Sequence, residues 1–518
     1  MPEILLTTLN AKYIHAAFGL RYLLANLGEL RPRAGILEFD INQRPLDITE
    51  RILAASPRLV GFGVYIWNVA QTTEVISLLK RLAPDIRVII GGPEVSFELE
   101  DQEIVKLADY VITGEADLEF GAVCEQVLSD RKPTTKILPA PLPDFSKLRL
   151  PYHEYTADDV AHRIIYVEAS RGCPFTCEFC LSSLDVPVRQ APLDLLLVQL
   201  QALLDRGVTQ FKFVDRTFNL SAATSQGILE FFLERHRPGL FLHFELIPDR
   251  LPPALKELIR RFPPAALQFE VGIQTFNPET AALIKRRQNY ERLAENLTFL
   301  RNQTGVHIHA DLIVGLPGED IKSFGAGFDQ LVALNPQEIQ VGILKRLRGT
   351  PISRHDSEWQ MIYSPTPPYE ILSNRGISFA EMQGMRRLAR YWDLVANSGN
   401  FLSSTPLLWE KEPDKSPFAA FSKFSEWLHF KTGRGDGIAL VRLAELIFEY
   451  LSSVGGHDIQ RVASSLWDDY RRPGRRDIPE FLRRHIQPGA TARHLKSDPG
   501  TRQRSLAKRQ ARHLQGSL

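Results

Sequence analysis

The chain has 518 residues, enough for roughly three domains at about 150 residues apiece, so a single small module is excluded. With 44% hydrophobic, 24% charged and 9% aromatic residues it has a globular rather than a disordered composition. The 62 Lys and Arg against 61 Asp and Glu give a net +1, so no overall field points to nucleic acid. The charge is uneven: residues 471–518 hold 13 basic against 3 acidic side chains, leaving 49 against 58, or −9, for the rest.

In chain order, Met1-Pro2-Glu3 opens directly into a strand-like segment without a charged leader, and no apolar run approaches the ~20 residues that cross a bilayer. Cytoplasmic residence with no membrane partner is expected. Runs 3–8, 35–41, 59–67, 87–90 and 110–113 are rich in β-formers and alternate with helical patterns, which predicts a parallel α/β sheet over residues 1–130. The runs end in small or polar residues, at Asn10, Asn42, Asn68, Gly91-Gly92-Pro93 and Gly114-Glu115. Ligands of open parallel sheets sit at such strand ends.

Residues 131–163 carry five prolines and little periodicity, the pattern of an extended linker. A second domain, 164–364, offers strands at 164–169, 210–214, 240–246, 266–273, 307–314 and 338–344, with helices such as 193–206 and 279–285 between them. Six β/α units predict a partial (β/α)6 TIM-type barrel, with its site at the C-terminal strand ends. Residues 365–485 read as helical, as at 379–395 and 438–453, and 486–518 as a basic, mobile tail.

Of four cysteines, Cys173, Cys177 and Cys180 lie within eight residues. Such clustering excludes a disulfide framework and favours a cofactor. The segment Ser170-Arg171-Gly172-Cys173-Pro174-Phe175-Thr176-Cys177-Glu178-Phe179-Cys180 follows the first barrel strand with Cys-x3-Cys-x2-Cys spacing. Three thiolates on one loop suit a 4Fe-4S cube that keeps one iron free of protein ligands. Structural zinc wants four ligands, and neither His162 nor His243 has a matching spacing.

This segment resembles the cluster loop of the radical S-adenosylmethionine (SAM) superfamily. The resemblance implies that the methionyl part of SAM chelates the free iron and that one electron cleaves the sulfonium to start radical chemistry. Val214-Asp215-Arg216-Thr217-Phe218 is similar to a second-strand Asp-Asp-x-Phe motif of cobalamin-associated members, with Arg216 replacing the second acid and Asp215 kept as a cofactor residue. Segments 244–250, 272–277 with Arg286, and 311–319 are similar to barrel motifs of oxygen-independent coproporphyrinogen oxidases. Carried over by position, Glu245, Gln274, Arg286 and Asp311 would hold SAM. A cationic Arg286 can pair the methionyl carboxylate, while acceptors at Glu245 and Asp311 suit ammonium and hydroxyl groups.

The first domain resembles the Rossmann-like cobalamin-binding domain that precedes many radical SAM barrels. Asn10, Trp67, Gly92 and Gly114 at its strand ends are the cobalamin candidates. No Asp-x-His-x-x-Gly follows the first strand, and His15, five residues after Asn10, does not reproduce the spacing of a cobalt ligand. Cobalamin without a protein imidazole is expected. The combined resemblance implies cobalamin-dependent methyl transfer to an unactivated centre of a small molecule, with an electron donor such as flavodoxin or ferredoxin. The alternative is a cobalamin-independent radical SAM rearrangement, oxidation or cyclisation. Nucleic-acid modification is disfavoured because the basic tail lacks interleaved aromatics, and methylthiotransfer because a second cluster needs more cysteines than Cys124 alone.

Overall fold

Apolar runs separated by amphipathic helices make parallel strands covered on both faces, and the computed structural model of the chain contains two such sheets. It describes residues 2–129, 131–475, 477–486, 509–510 and 512–513. The first sheet comprises β1 (Ile4–Asn10), β2 (Ala34–Asp40), β3 (Leu59–Gly63), β4 (Arg87–Gly91), β5 (Tyr110–Thr113) and β6 (Ile137–Pro139). They lie in the order β2-β1-β3-β4-β5-β6, all parallel. Helices Phe18–Ala25 and Glu119–Leu128 pack one face around Leu6, Leu20 and Phe120. Helices Pro45–Ala54 and Val69–Leu82 pack the other around Ile48, Val60 and Ile76.

The Pro-rich segment expected as a linker contributes β6. Val111 N donates to Lys136 O at 2.9 Å and Ala140 N to Thr113 O at 3.0 Å, so the strand is knitted to β5 on one side only. Proline lacks the donor an inner strand needs and is tolerated at an edge. Three mostly exposed edge residues leave no hydrophobic alternation to read.

The second domain starts with β7 (Ile165–Val167) and a two-residue antiparallel ribbon of β8 (Ser170–Arg171) and β9 (Arg189–Gln190). The barrel strands β10 (Gln210–Phe213), β11 (Phe241–Leu246), β12 (Leu267–Gln274), β13 (His307–Val314) and β14 (Glu338–Ile343) follow. Their parallel order β14-β13-β12-β11-β10-β7 makes the expected six-stranded partial barrel. The two-residue period of β12 and β13 sends Phe269, Val271, Ile308 and Ala310 into the core and Glu270, Gly272, His309 and Asp311 to the lumen.

Beyond the barrel, a hairpin of β15 (Ile362–Tyr363) and β16 (Ile371–Ser373) spans the boundary expected at 365. The helices that follow, among them Phe379–Val395, Pro417–Thr432 and Leu440–Glu449, share one hydrophobic core with the barrel through Trp392, Phe421 and Phe424. The expectation of a mobile tail falls mostly outside the described residues. Where residues 509–513 are described, Arg509 pairs with Glu338 at 3.0 Å and Asp393 at 2.6 Å, docked at the N-terminal mouth of the barrel. No helix among the described residues is long and apolar enough to cross a membrane.

Candidate functional site

The cluster loop leaves β8 through Gly172, whose φ of +88° is open to glycine and costly for other residues; a Cβ there would stand 2.6 Å from Asp185 O. Cys173 N donates to that same carbonyl at 3.1 Å. Further along, Glu178 N donates to Ile284 O and Ile352 N to Glu178 O, each at 3.0 Å. The Glu178 carboxylate is fully buried and meets Arg354 at 2.6 Å, His355 at 2.9 Å and Lys285 at 3.2 Å. One acidic side chain between two cysteines thereby ties the loop to two other segments of the chain.

Cys173 and Cys177 are buried and Cys180 is half-buried, and all three border one cavity of about 240 Å³ at the C-terminal ends of the barrel strands. Burial pushes the Cys177 thiol up, and Arg286, with Nη1 3.7 Å from Sγ, pulls it back toward the thiolate. Among the described residues no three His, Cys, Asp or Glu side chains converge on a single ion position. Three thiols bordering one cavity suit a cube, which offers each thiolate its own iron.

Glu245, Gln274, Arg286 and Asp311 border the same cavity. Gln274 ends β12 at a bulge with φ +72°, a strained conformation for a non-glycine residue. Burial raises the Glu245 carboxyl, and Arg216 opposes it from 3.0 Å. Asp311 Oδ1 is buried with no hydrogen bond, its nearest cation being His309 Nε2 at 3.4 Å. Arg286 donates to the carbonyls of Gly272 and Ile273, and no carboxylate pairs with it among the described residues. A buried carboxylate held only by a long contact to His309 and a guanidinium without a carboxylate fit the ammonium, hydroxyl and carboxylate groups of SAM.

Asp215 is not brought into this cavity. Its carboxylate accepts from Ala169 N at 3.0 Å and Ser170 Oγ at 2.6 Å, beneath the strand that feeds the cluster loop, and burial raises it to about 7. The role seen is that of a buried brace. Glu270, which borders the cavity from β12, had no motif to reveal it; its inward register on the strand is the only signal.

In the first domain a slot of about 300 Å³ opens at the ends of β3, β4 and β5, lined by Gly61, Gly63, Gly92 and Gly114 with Tyr65 and Phe120. A Cβ on Gly61 would come within 2.8 Å of the Phe120 ring, and one on Gly92 within 2.5 Å of Val64 O. Glycines therefore keep open a narrow, largely apolar slot of the kind that a flat ring system enters. Gly92 and Gly114 thus stand together. Asn10 does not join them: its amide donates to Glu38 at 3.0 Å. Nor does Trp67, which is half exposed, stacks on Tyr65 with ring centroids 4.4 Å apart and donates to Leu9 O at 3.2 Å. His15 lies elsewhere, with Nδ1 2.6 Å from Tyr166 Oη. One wall of the slot is a network in which Glu115, Asp117 and Glu168 surround Arg171; Glu115 and Arg171 stand in segments the sequence singled out, but nothing in the sequence paired them.

The fold and both cavities define a class, and comparison with known proteins agrees. Residues 4–124 match the B12 binding domain model and 167–330 the radical SAM superfamily model. Residues 357–506 match a family described as protein of unknown function (DUF4080). The chain therefore joins a B12-binding domain to a radical SAM domain, the pairing of cobalamin-dependent radical SAM proteins. These domains imply a 4Fe-4S cluster, SAM and cobalamin as cofactors.

Among curated relatives, the ribosomal protein uS12 methylthiotransferase of Pelobacter propionicus is 24% identical over 36% of this chain and 43% of its own. An uncharacterized methyltransferase of Pyrococcus horikoshii is 28% identical over 34% and 43%. The chain thus spans less than half the length of these relatives. Among solved structures, the cobalamin-dependent SAM radical enzyme OxsB with aqua-cobalamin bound superposes with a TM-score of 0.64 at 13% identity, covering 94% of this chain and 84% of that one. The radical SAM methyltransferase TsrM of Kitasatospora setae gives 0.55 at 18% identity, covering 70% and 79%. At these identities the likeness is one of fold.

Proposed function

We propose that the protein is a cobalamin-dependent radical SAM enzyme that transfers a methyl group to an unactivated centre of a small organic substrate. The observation that carries this reading is the adjacency of the two cavities. Glu168 and Arg171 border the slot of the first domain, and Cys173 borders the barrel cavity. Five residues of chain reach at most roughly 18 Å. Once bound, the cluster and SAM supply reductive sulfonium cleavage and cobalamin a transferable methyl group.

The chain's own residues bind and orient. Cys173, Cys177 and Cys180 supply three thiolates, Arg286 a cation for the methionyl carboxylate, and Glu245 and Asp311 acceptors for ammonium and hydroxyl groups. Gln274 borders the cavity from the end of β12, and Gly92 and Gly114 admit the corrinoid. Cys124 cannot seed a second cluster: it is a lone, fully buried side chain in helix Glu119–Leu128, which weighs against a methylthiotransferase role. The reading takes the protein to work in the cytoplasm, where a flavodoxin or ferredoxin can deliver the electron.

Anaerobic reconstitution with iron, sulfide and hydroxocobalamin tests it. The expected result is corrin absorption, reductive formation of 5′-deoxyadenosine and a product heavier by one CH2 when candidate substrates are supplied. Reductive SAM cleavage by protein that retains no corrin favours the cobalamin-independent alternative.

A further inference from the structure

We infer that Glu115 is a positioning residue that couples occupancy of the glycine-lined slot to the geometry of the cluster loop. The inference rests on reading that slot as the cobalamin site. The β8–β9 ribbon closes the base of the cluster loop, and its register sets Arg171 directly opposite Arg189. Like charges opposed across a ribbon are destabilising. Here both guanidinium groups are largely buried, their side chains 13% and 12% exposed, so water screens little of the repulsion.

The shared counter-ion comes from the other domain. Glu115 Oε2 accepts from Arg171 Nη1 at 2.9 Å and from Arg189 Nη1 at 2.8 Å. Asp117 and Glu168 meet only Arg171, and Asp185 only Arg189, so among the described residues Glu115 alone bridges the pair. From Arg189 the path continues to the cysteines. Asp185 pairs with Arg189 at 2.5 Å, and its carbonyl accepts from Cys173 N at 3.1 Å. The same carbonyl leaves no room for a Cβ on Gly172, so this contact has no slack. Tyr22 and Phe145 present their rings to the Arg171 guanidinium, with centroids 4.4 and 5.1 Å from Cζ, and help to hold it in place.

At its other end the network is the slot wall, since Gly114, Glu115, Asp117 and Arg171 all line it. A ligand in the slot presses on the loop that carries the counter-ion. A ligand that favours the bridging position of Glu115 favours the closed ribbon, and a closed, cluster-loaded ribbon favours that ligand by the same factor.

The test titrates hydroxocobalamin into full-length protein with and without its reconstituted cluster, under anaerobic conditions, and follows the corrin bands. The wild type is expected to show affinities that differ by about five-fold or more between the two states. In Glu115→Gln that ratio is expected to fall to about one, and Glu115→Asp to restore part of it. A merely structural role would weaken both affinities together and leave the ratio alone. Arg189→Gln cuts the link to Asp185 while relieving the repulsion, so it serves if Glu115→Gln does not fold, and it too should lower the ratio. Equal, measurable affinities in the wild type, or an unchanged ratio in Glu115→Gln or Arg189→Gln, would overturn the coupling and leave the cobalamin reading standing. Failure of the wild type to bind hydroxocobalamin in either state would remove that reading and the coupling with it.

Discussion

Arg286 holds Nη1 3.7 Å from the sulfur of Cys177 while its Nε donates to Ile273 O at 3.1 Å. Backbone carbonyls fix the guanidinium, and no carboxylate neutralises it among the described residues. A fixed cation beside Cys177 offers a place for an anion, and the SAM carboxylate is expected to take it. Arg286→Ala is expected to weaken SAM binding about ten- to a hundred-fold, the loss of a charge-assisted contact of roughly 1.5–3 kcal/mol. Equilibrium binding to protein with full iron content measures this, and normal SAM affinity would contradict the role.

Each of Cys173, Cys177 and Cys180 is expected to be indispensable to the cluster. A two-thiolate loop leaves two irons of the cube without protein ligands, so Cys177→Ala should lose iron content and reductive SAM cleavage together. Undiminished 5′-deoxyadenosine formation by that variant would sink the assignment.

Glu319 carries a pH signature. Burial lifts its carboxyl from 4.5 to about 7 although Thr275 Oγ1 donates to it at 2.6 Å, and its Oε2 is buried without a partner. The folded value is raised, so between about 4.5 and 7 the folded state keeps a proton that the unfolded chain has released. The resulting stabilisation is fully present below that window and is lost as pH rises through it, by about 1.4 kcal/mol per pH unit. Glu319→Gln should abolish this part of the slope. Denaturant midpoints of both proteins across the window provide the comparison, and parallel pH profiles would refute it.

The strands of both sheets other than β6 were legible as short β-rich runs, apolar after Arg87 in β4 and alternating in β13, and His307–Val314 coincides with its predicted span to the residue. The cysteine loop was legible because its spacing is local. What escaped was long-range or edge-bound. β6 is short and half exposed, and Arg509 reaches Glu338 across 171 positions of sequence. Arg171 meets Glu115 across 56 positions, so no local pattern could pair them. Asn10 does end β1, but its amide turns to Glu38; the strand expected over 59–67 stops at Gly63, so Trp67 lies in the turn beyond it with its indole on Leu9 O. Position at a strand end is readable from sequence; the rotamer that selects a partner is not.

Gly92 is expected to resist substitution for a backbone reason. Its φ is +113°, and a Cβ would lie 2.5 Å from the Val64 carbonyl oxygen, an atom that cannot swing aside. Gly92→Ala should cost about 1–3 kcal/mol from the backbone conformation alone, with the clash added, and should narrow the slot. A lowered unfolding midpoint together with weakened hydroxocobalamin binding is the expected outcome; wild-type values for both would show that the turn tolerates a side chain.

Hydroxocobalamin is expected to bind the first domain without a histidine on cobalt. The glycine-lined slot lies at the ends of β3, β4 and β5, whereas His15 engages Tyr166 at 2.6 Å and pairs with Ile164 in an isolated parallel bridge, away from the slot lining. Burial lowers the pKa of His15, which leaves its imidazole neutral and chemically able to ligate; its position is what removes it. Wild type and His15→Ala should therefore bind with affinities within about two-fold of each other, under 0.5 kcal/mol. The cob(II)alamin paramagnetic resonance spectrum of each should lack hyperfine splitting from an imidazole nitrogen. Such splitting in the wild type, lost in His15→Ala, would place His15 on the metal and require the segment between β1 and helix Phe18–Ala25 to refold around the corrinoid.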